Sequence, residues 1–169
     1  LPPRYYQDLL AGKSEEWVNV YVHGKYGYLQ DGRPVHPEFL ASVHAVDAIE
    51  WDGSPVLVGL DFGRTPAAAI CQETPGGGLE QIDELVTVDT GVATFARDLR
   101  RRLVERYRGK VGSIYGDPSG DAKDGGRAGG DEMTVFQILA ANGIHAIPAP
   151  TQDPTIRREG LAGMMRRIT

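Results

Sequence analysis

Val56-Leu57-Val58-Gly59-Leu60-Asp61-Phe62-Gly63-Arg64-Thr65 is an apolar run that ends in one carboxylate and a glycine turn. It reads as a buried strand bounded by turn residues. Val111-Gly112-Ser113-Ile114-Tyr115-Gly116-Asp117-Pro118 repeats the arrangement further along. If the two strands are neighbours, Asp61 and Asp117 project at one edge of a sheet. Carboxylates gathered there would hold hard divalent cations through oxygen. Taken alone, a strand-end Asp is more commonly a turn-former or cap. An ion pair from Asp61 to Arg64 or Lys123 would also satisfy a charge on an apolar strand.

Working outward, strand one covers about 56–62 and residues 66–72 read as a second strand of small apolar residues. Pro75-Gly76-Gly77-Gly78 is a turn, and residues 79–88 alternate as a third strand. Strands joined by tight turns predict an antiparallel meander. Residues 92–107 carry Phe95, Leu99, Leu103 and Val104 at helical spacing, and Gly109 ends that helix. Strand four covers 112–116. Residues 120–130 are rich in Gly, Asp and Lys and read as a mobile loop. Asp131 is expected to cap a helix reaching Ala141, and Asn142-Gly143 to close it. Residues 144–147 read as strand five, and Pro154 opens a last helix. The order predicts an α/β domain. Its mixed five-stranded sheet has three antiparallel strands, then parallel ones, flanked by helices.

Residues 1–50 differ in character. Short helices are expected over residues 4–10 and from Ser14 to about Gly24, then an extended arm rich in Gly, Pro and aromatics. A further strand is expected over 44–51. Trp17, Trp51 and the tyrosines near the start suit packing better than base stacking. The chain begins at Leu1 and ends at Thr169 within a helical pattern, so it reads as part of a longer polypeptide. The expected organisation is a linker arm over 1–50 and a core over 51–169, truncated at its C-terminal end.

Composition narrows the function classes. No apolar stretch approaches the roughly 20 residues that span a bilayer, so no membrane partner is expected. The single Cys71 can form no internal disulfide, reads as a small core residue and fits a reducing compartment. The four histidines are scattered without zinc spacing. A net charge of -5 argues against a uniformly basic nucleic-acid binder. Arg97, Arg100, Arg101, Arg102, Arg106, Arg108 and Lys110 nevertheless crowd one segment, and Arg157, Arg158, Arg166 and Arg167 crowd the end. Either they are a solvated helix face or they form a phosphate-facing patch.

The β-β-β-α-β-α order is similar to the ribonuclease H-like fold. Gly59-Leu60-Asp61-Phe62-Gly63-Arg64-Thr65-Pro66-Ala67-Ala68 and Tyr115-Gly116-Asp117-Pro118-Ser119-Gly120 resemble the nuclease domain of tailed-bacteriophage terminase large subunits. Pro150-Thr151-Gln152-Asp153-Pro154-Thr155-Ile156-Arg157 resembles that family's Asn/Gln-Asp stretch before a helix. Residues 20–27 and 32–39 resemble the connection out of its ATPase domain. The resemblance implies an endonuclease that cuts concatemeric double-stranded DNA with two Mg²⁺ or Mn²⁺ ions during viral genome packaging. It implies Asp61 and Asp117 as catalytic metal ligands. It also implies an upstream ATPase domain in the same polypeptide, portal and small terminase subunit as partners, and the cytoplasm of an infected bacterium as the setting. Glu159, on the last helix, is the candidate third ligand, with a solvated helix residue as the plainer reading. The family's third acid normally lies further on, and without it metal affinity and cleavage by this fragment would be weak. Arg64, Lys123 and Arg127 are candidate DNA contacts. No Walker A sequence occurs, so ATP hydrolysis by this segment is not expected.

Two other classes stay open. Asp61, Gly63 and Thr65 also resemble the phosphate loop of actin-like ATPases and sugar kinases. That fold needs a second such domain and a second glycine-rich loop. A non-catalytic docking module on the same fold is the other alternative.

Overall fold

The structure, a computed structural model, describes Val18, Val22, His23 and residues 34–63, 65–121 and 133–166. The chain divides into two compact units, Leu1–Leu40 and Ala41–Thr169. In the first, Val18 is helical, and the N–H groups of Val22 and His23 donate to its carbonyl at 2.9 and 3.1 Å. This turn falls inside the helix expected from Ser14. The helix expected over residues 4–10 lies outside the described residues, as does most of the arm. Further on, the Phe39 N–H closes a turn onto the His36 carbonyl at 3.1 Å.

The second unit holds α1 (Ala41–His44), β1 (Val56–Asp61), β2 (Ala67–Glu73), β3 (Leu79–Val86) and α2 (Val92–Tyr107). It continues through β4 (Val111–Gly116), a 3-10 turn at Pro118–Asp121, α3 (Val135–Ala141), β5 (Ile147–Pro148) and α4 (Pro154–Met165). The sheet order is β3-β2-β1-β4-β5. β1 runs antiparallel to β2 and parallel to β4, β2 pairs antiparallel with β3, and β4 pairs parallel with β5. This is the mixed five-stranded sheet expected from the element order.

Side-chain alternation assigns β1 two faces. Val56, Val58 and Leu60 enter the core, while Gly59 and Asp61 face outward. Ala68 and Ile70 of β2 and Ile114 of β4 join the core face. α2 covers that face with Phe95, Ala96, Leu99, Leu103 and Tyr107, and Leu139 of α3 and Ile144 complete it. Fully buried side chains such as Phe95, Ile70 and Leu99 each contribute about 1.5–3 kcal/mol. Cys71 is half-buried, and burial pushes its thiol above the usual range, away from a reactive thiolate.

Part of the arginine run is structural. The Asp83 carboxylate on β3 accepts from Arg102 and Arg106, both at 2.8 Å, and from the Tyr107 hydroxyl at 3.0 Å. Arg102 also donates to the Glu84 carbonyl. Burial acts to raise the Asp83 carboxyl. The hydrogen bonds from Arg106, Tyr107 and the Glu84 N–H, with the charge of Arg102, outweigh it and hold the group below its ordinary value. Burial and the bond to Asp83 push Tyr107 up to about 12. These contacts pin the outer strand of the meander to α2.

Three expectations are corrected. Residues 45–51 form no strand, and α1 takes residues 41–44. The backbone there bonds instead to the buried Gln72 side chain, which donates to the Glu50 carbonyl at 3.2 Å and accepts from the Asp52 N–H at 3.0 Å. The helix after the glycine loop is capped by Thr134, whose side chain accepts from the Gln137 N–H while Gln137 returns a bond to the Thr134 N–H. That reciprocal capping box sets its start, and the expected cap Asp131 lies outside the described residues. Strand five is Ile147–Pro148, because Ile144 is drawn into the core and Pro148 has no N–H to extend the ladder. Trp51 packs edge-on against Tyr107 at 5.5 Å, in line with the packing role expected for it.

The ends of β1 and β4 are locked by one aromatic ring. Phe62 follows Asp61, meets Phe136 edge-on at 5.5 Å, and lies against Gly116 and Gly120. A Cβ on Gly120 would sit 2.7 Å from the Phe62 ring, and one on Gly116 would overlap it. Gly116→Ala should therefore cost roughly 1–3 kcal/mol by overpacking. Gly59→Ala, whose Cβ would meet nothing within 4 Å, should change stability little. Urea unfolding of the two variants measures the contrast.

Candidate metal centre

β1 and β4 are parallel neighbours, and their register ends with Leu60 opposite Gly116. The next residue in each chain is an aspartate, Asp61 in one and Asp117 in the other. Adjacent strands lie about 4.8 Å apart, so the pairing brings both residues to one sheet edge. Leu60 points into the core, and alternation turns Asp61 to the opposite, open face. Asp61 and Asp117 line one cavity of about 430 Å³. Its floor is made of small residues, Gly59, Ala67 and Ala69, with Tyr115 and Arg157 beside them. A floor of that kind leaves room above the sheet for a ligand backbone to approach.

The two carboxylates are held differently. Asp117 Oδ1 accepts from the Ser119 N–H at 2.8 Å and from Gln152 Nε2 at 3.0 Å. Asp117 Oδ2 meets Arg157 Nη1 at 3.5 Å. Hydrogen bonds from Ser119, side chain and backbone, then the bond from Gln152 and the nearby Arg157 charge lower the Asp117 carboxyl to about 2. Oδ1 is thus fastened by two bonds, and Oδ2 is held by the longer contact from Arg157. Asp61 is exposed and has no hydrogen-bond or ion-pair partner among the described residues.

The structure brings Asp61 and Asp117 together but does not bring Glu159 to them. Glu159 is exposed on α4 and faces Arg158 at 3.9 Å and Arg166 at 3.8 Å. Among the described residues no group of three His, Cys, Asp or Glu side chains could hold a metal ion. Arg64, Lys123 and Arg127 lie outside the described residues. Sequence reasoning gave no individual role to Ser119, Gln152 or Arg157; Arg157 counted only among the arginines that crowd the end, as a solvated helix face or a phosphate-facing patch. A signal existed for the last two: Asp153 caps α4 by accepting from the Thr155 and Ile156 N–H groups, and Pro154 follows it. That cap starts the helix just past β5, which places Gln152 and Arg157 at the same sheet edge.

The donor set suits a hard cation. It is all carboxylate oxygen, faces open space and contains no thiolate or imidazole. Two carboxylates leave several coordination positions to water or substrate, a pattern Mg²⁺ tolerates well.

Several solved structures share this fold. The large terminase from a thermophilic bacteriophage aligns with a TM-score of 0.62 and 14% identity, covering 79% of this chain and 33% of that one. The P22 large terminase nuclease domain aligns with a TM-score of 0.57 and 13% identity, covering 82% of this chain and 70% of that one. The chain thus spans about a third of the length of the thermophilic phage protein. No protein-family model and no curated protein matches it. The ribonuclease H-like architecture of terminase nuclease domains is therefore the architecture of this chain.

The Asp117 contacts have a pH signature. A carboxyl lowered in the folded state adds stability above the unfolded value near 3.9 and loses it as pH falls toward about 2. Gln152→Ala should move the Asp117 titration, followed by carboxyl ¹³C NMR, up toward its ordinary value. Asp117→Asn should remove part of the stability loss seen between about pH 4 and pH 2; Asp83, also held below its ordinary value, adds acid sensitivity of the same sign.

Proposed function

We propose that this chain is the metal-dependent endonuclease domain of a viral DNA-packaging terminase. The observation that carries the reading is the convergence of Asp61 and Asp117 in one cavity at the end of adjacent parallel strands. The fold shared with terminase nuclease domains supports it. In this reading the substrate is concatemeric double-stranded DNA and the reaction is phosphodiester hydrolysis. An ATPase domain precedes the segment in the same polypeptide, linked through residues 1–50. Portal and small subunit are its partners, and the work takes place in the host cytoplasm. Among the described residues no helix is long and apolar enough to cross a membrane.

Asp61 and Asp117 would hold Mg²⁺ or Mn²⁺. When bound, two such ions supply a nucleophile at neutral pH and offset charge on the attacking and leaving oxygens. The chain's own contribution is placement. Ser119 and Gln152 hold Asp117 Oδ1 and so fix the carboxylate at the cavity it lines. Phe62 keeps the two strand ends in register. The charged form of Asp117 is secured far below neutral pH, so its role as a ligand needs no proton loss. The small-residue floor admits the DNA backbone to the carboxylate pair. A third acidic ligand, where the intact protein has one, comes from outside the described residues.

Plasmid nicking in Mn²⁺ tests the reading. The wild-type chain should nick, and Asp61→Ala should lose about 10²-fold or more, the scale for removing one electrostatic element of such a site. Equal nicking by both proteins sinks the assignment of the site. Calorimetry with ATP separates the kinase-like alternative, which requires tight nucleotide binding. Mn²⁺ binding without nicking at any protein concentration would favour the docking module.

A further inference from the structure

Arg157 is the one cation among the described residues lining the cavity that holds Asp61 and Asp117. It sits in the first turn of α4, its N–H bonded to the Asp153 carbonyl at 3.1 Å. The guanidinium is weakly committed. It is 57% exposed and reaches Asp117 Oδ2 only at 3.5 Å, through a single nitrogen. An exposed pair of this kind contributes little to stability. Its neighbour Arg158 faces Glu159 instead and does not line the cavity. A DNA phosphate approaching two carboxylates is repelled unless a cation offsets them. The planar fork of an arginine matches the non-bridging oxygens of a phosphate.

We infer that Arg157 is the substrate-phosphate clamp of this site: it rests on Asp117 without DNA and transfers to a backbone phosphate oxygen when DNA enters. The inference rests on the nuclease reading and deepens it. No covalent step is involved; one ion pair is exchanged for another. Two effects of opposite sign follow. Without DNA, Arg157 competes with a divalent cation for Asp117 Oδ2, so its removal tightens metal binding. With DNA, its removal loses a phosphate contact and weakens binding at every sequence.

The test uses the full 169-residue chain. Calorimetry with Mn²⁺ and no DNA should show tighter binding by Arg157→Ala than by wild type. Fluorescence anisotropy with a short duplex in Ca²⁺ should show DNA affinity lowered by about tenfold, and the slope of log affinity against log salt reduced by about 1. Arg157→Lys should keep the salt slope and recover only part of the affinity. Arg158→Ala, which removes the same charge one residue along, should leave Mn²⁺ affinity unchanged and DNA affinity within about twofold of wild type. Equal DNA affinity in Arg157→Ala and wild type overturns the clamp. So does weaker Mn²⁺ binding by Arg157→Ala, or an Arg158→Ala that matches it in both measurements. A wild-type chain with no Mn²⁺ affinity overturns the nuclease reading itself, a distinct outcome.

Discussion

The seating of Phe62 against Gly116 and Gly120 is the constraint on which the candidate site depends. The ring belongs to the residue after Asp61, and Gly116 is the residue before Asp117. The aromatic side chain therefore joins the two strand ends at the points where their carboxylates emerge. Its far side rests on Phe136 of α3, so the core face holds it from behind. Glycine is required opposite because the ring occupies the volume of a methyl group. Backbone pairing sets the spacing of β1 and β4, and the ring keeps it fixed past the last ladder bond.

Electrostatics then divides labour between groups of like type. Asp83 and Asp117 are both carboxylates held below their ordinary range, with different surroundings. Asp83 is enclosed by Arg102, Arg106 and Tyr107, which satisfy both its oxygens. It fastens β3 to α2 and has nothing left to offer a ligand. Asp117 keeps one oxygen loosely engaged at an open cavity. A lowered carboxyl is therefore not by itself the mark of a binding site. The unspent oxygen makes the difference.

Much of this was legible in the residues alone. β1, α2 and β4 declare themselves because each carries a strong local pattern: apolar runs closed by Asp, and a helical stripe from Phe95 to Leu103. The placement of Asp61 and Asp117 at one edge followed from the element order. What was hidden depends on partners distant in sequence. Residues 44–51 look extended and apolar, yet a buried Gln72 amide supplies the bonds a neighbouring strand would have given. Ile144 looks like the start of a strand but packs into the core. The Thr134–Gln137 capping box was visible in the residues and was outweighed by Asp131 upstream. Ser119 and Gln152 carry no chemistry of their own until the fold sets them beside Asp117. Glu159 had a plausible address on the right helix, but its position on α4 turns it toward Arg166.

The Gln72 junction bears on how this unit would respond to being pulled. Its amide holds Glu50 and Asp52 on one side and the Glu80 carboxylate of β3 at 2.8 Å on another. Trp51 adds a second rivet, packed on Tyr107 with Lys110 5.9 Å above its ring. Tension transmitted along the backbone ahead of residue 50 would be shared with β2, β3 and the end of α2 as well as passing along the chain into β1. The segment ahead of β1 is thus moored to the sheet and to α2 at several points besides its own continuation into β1.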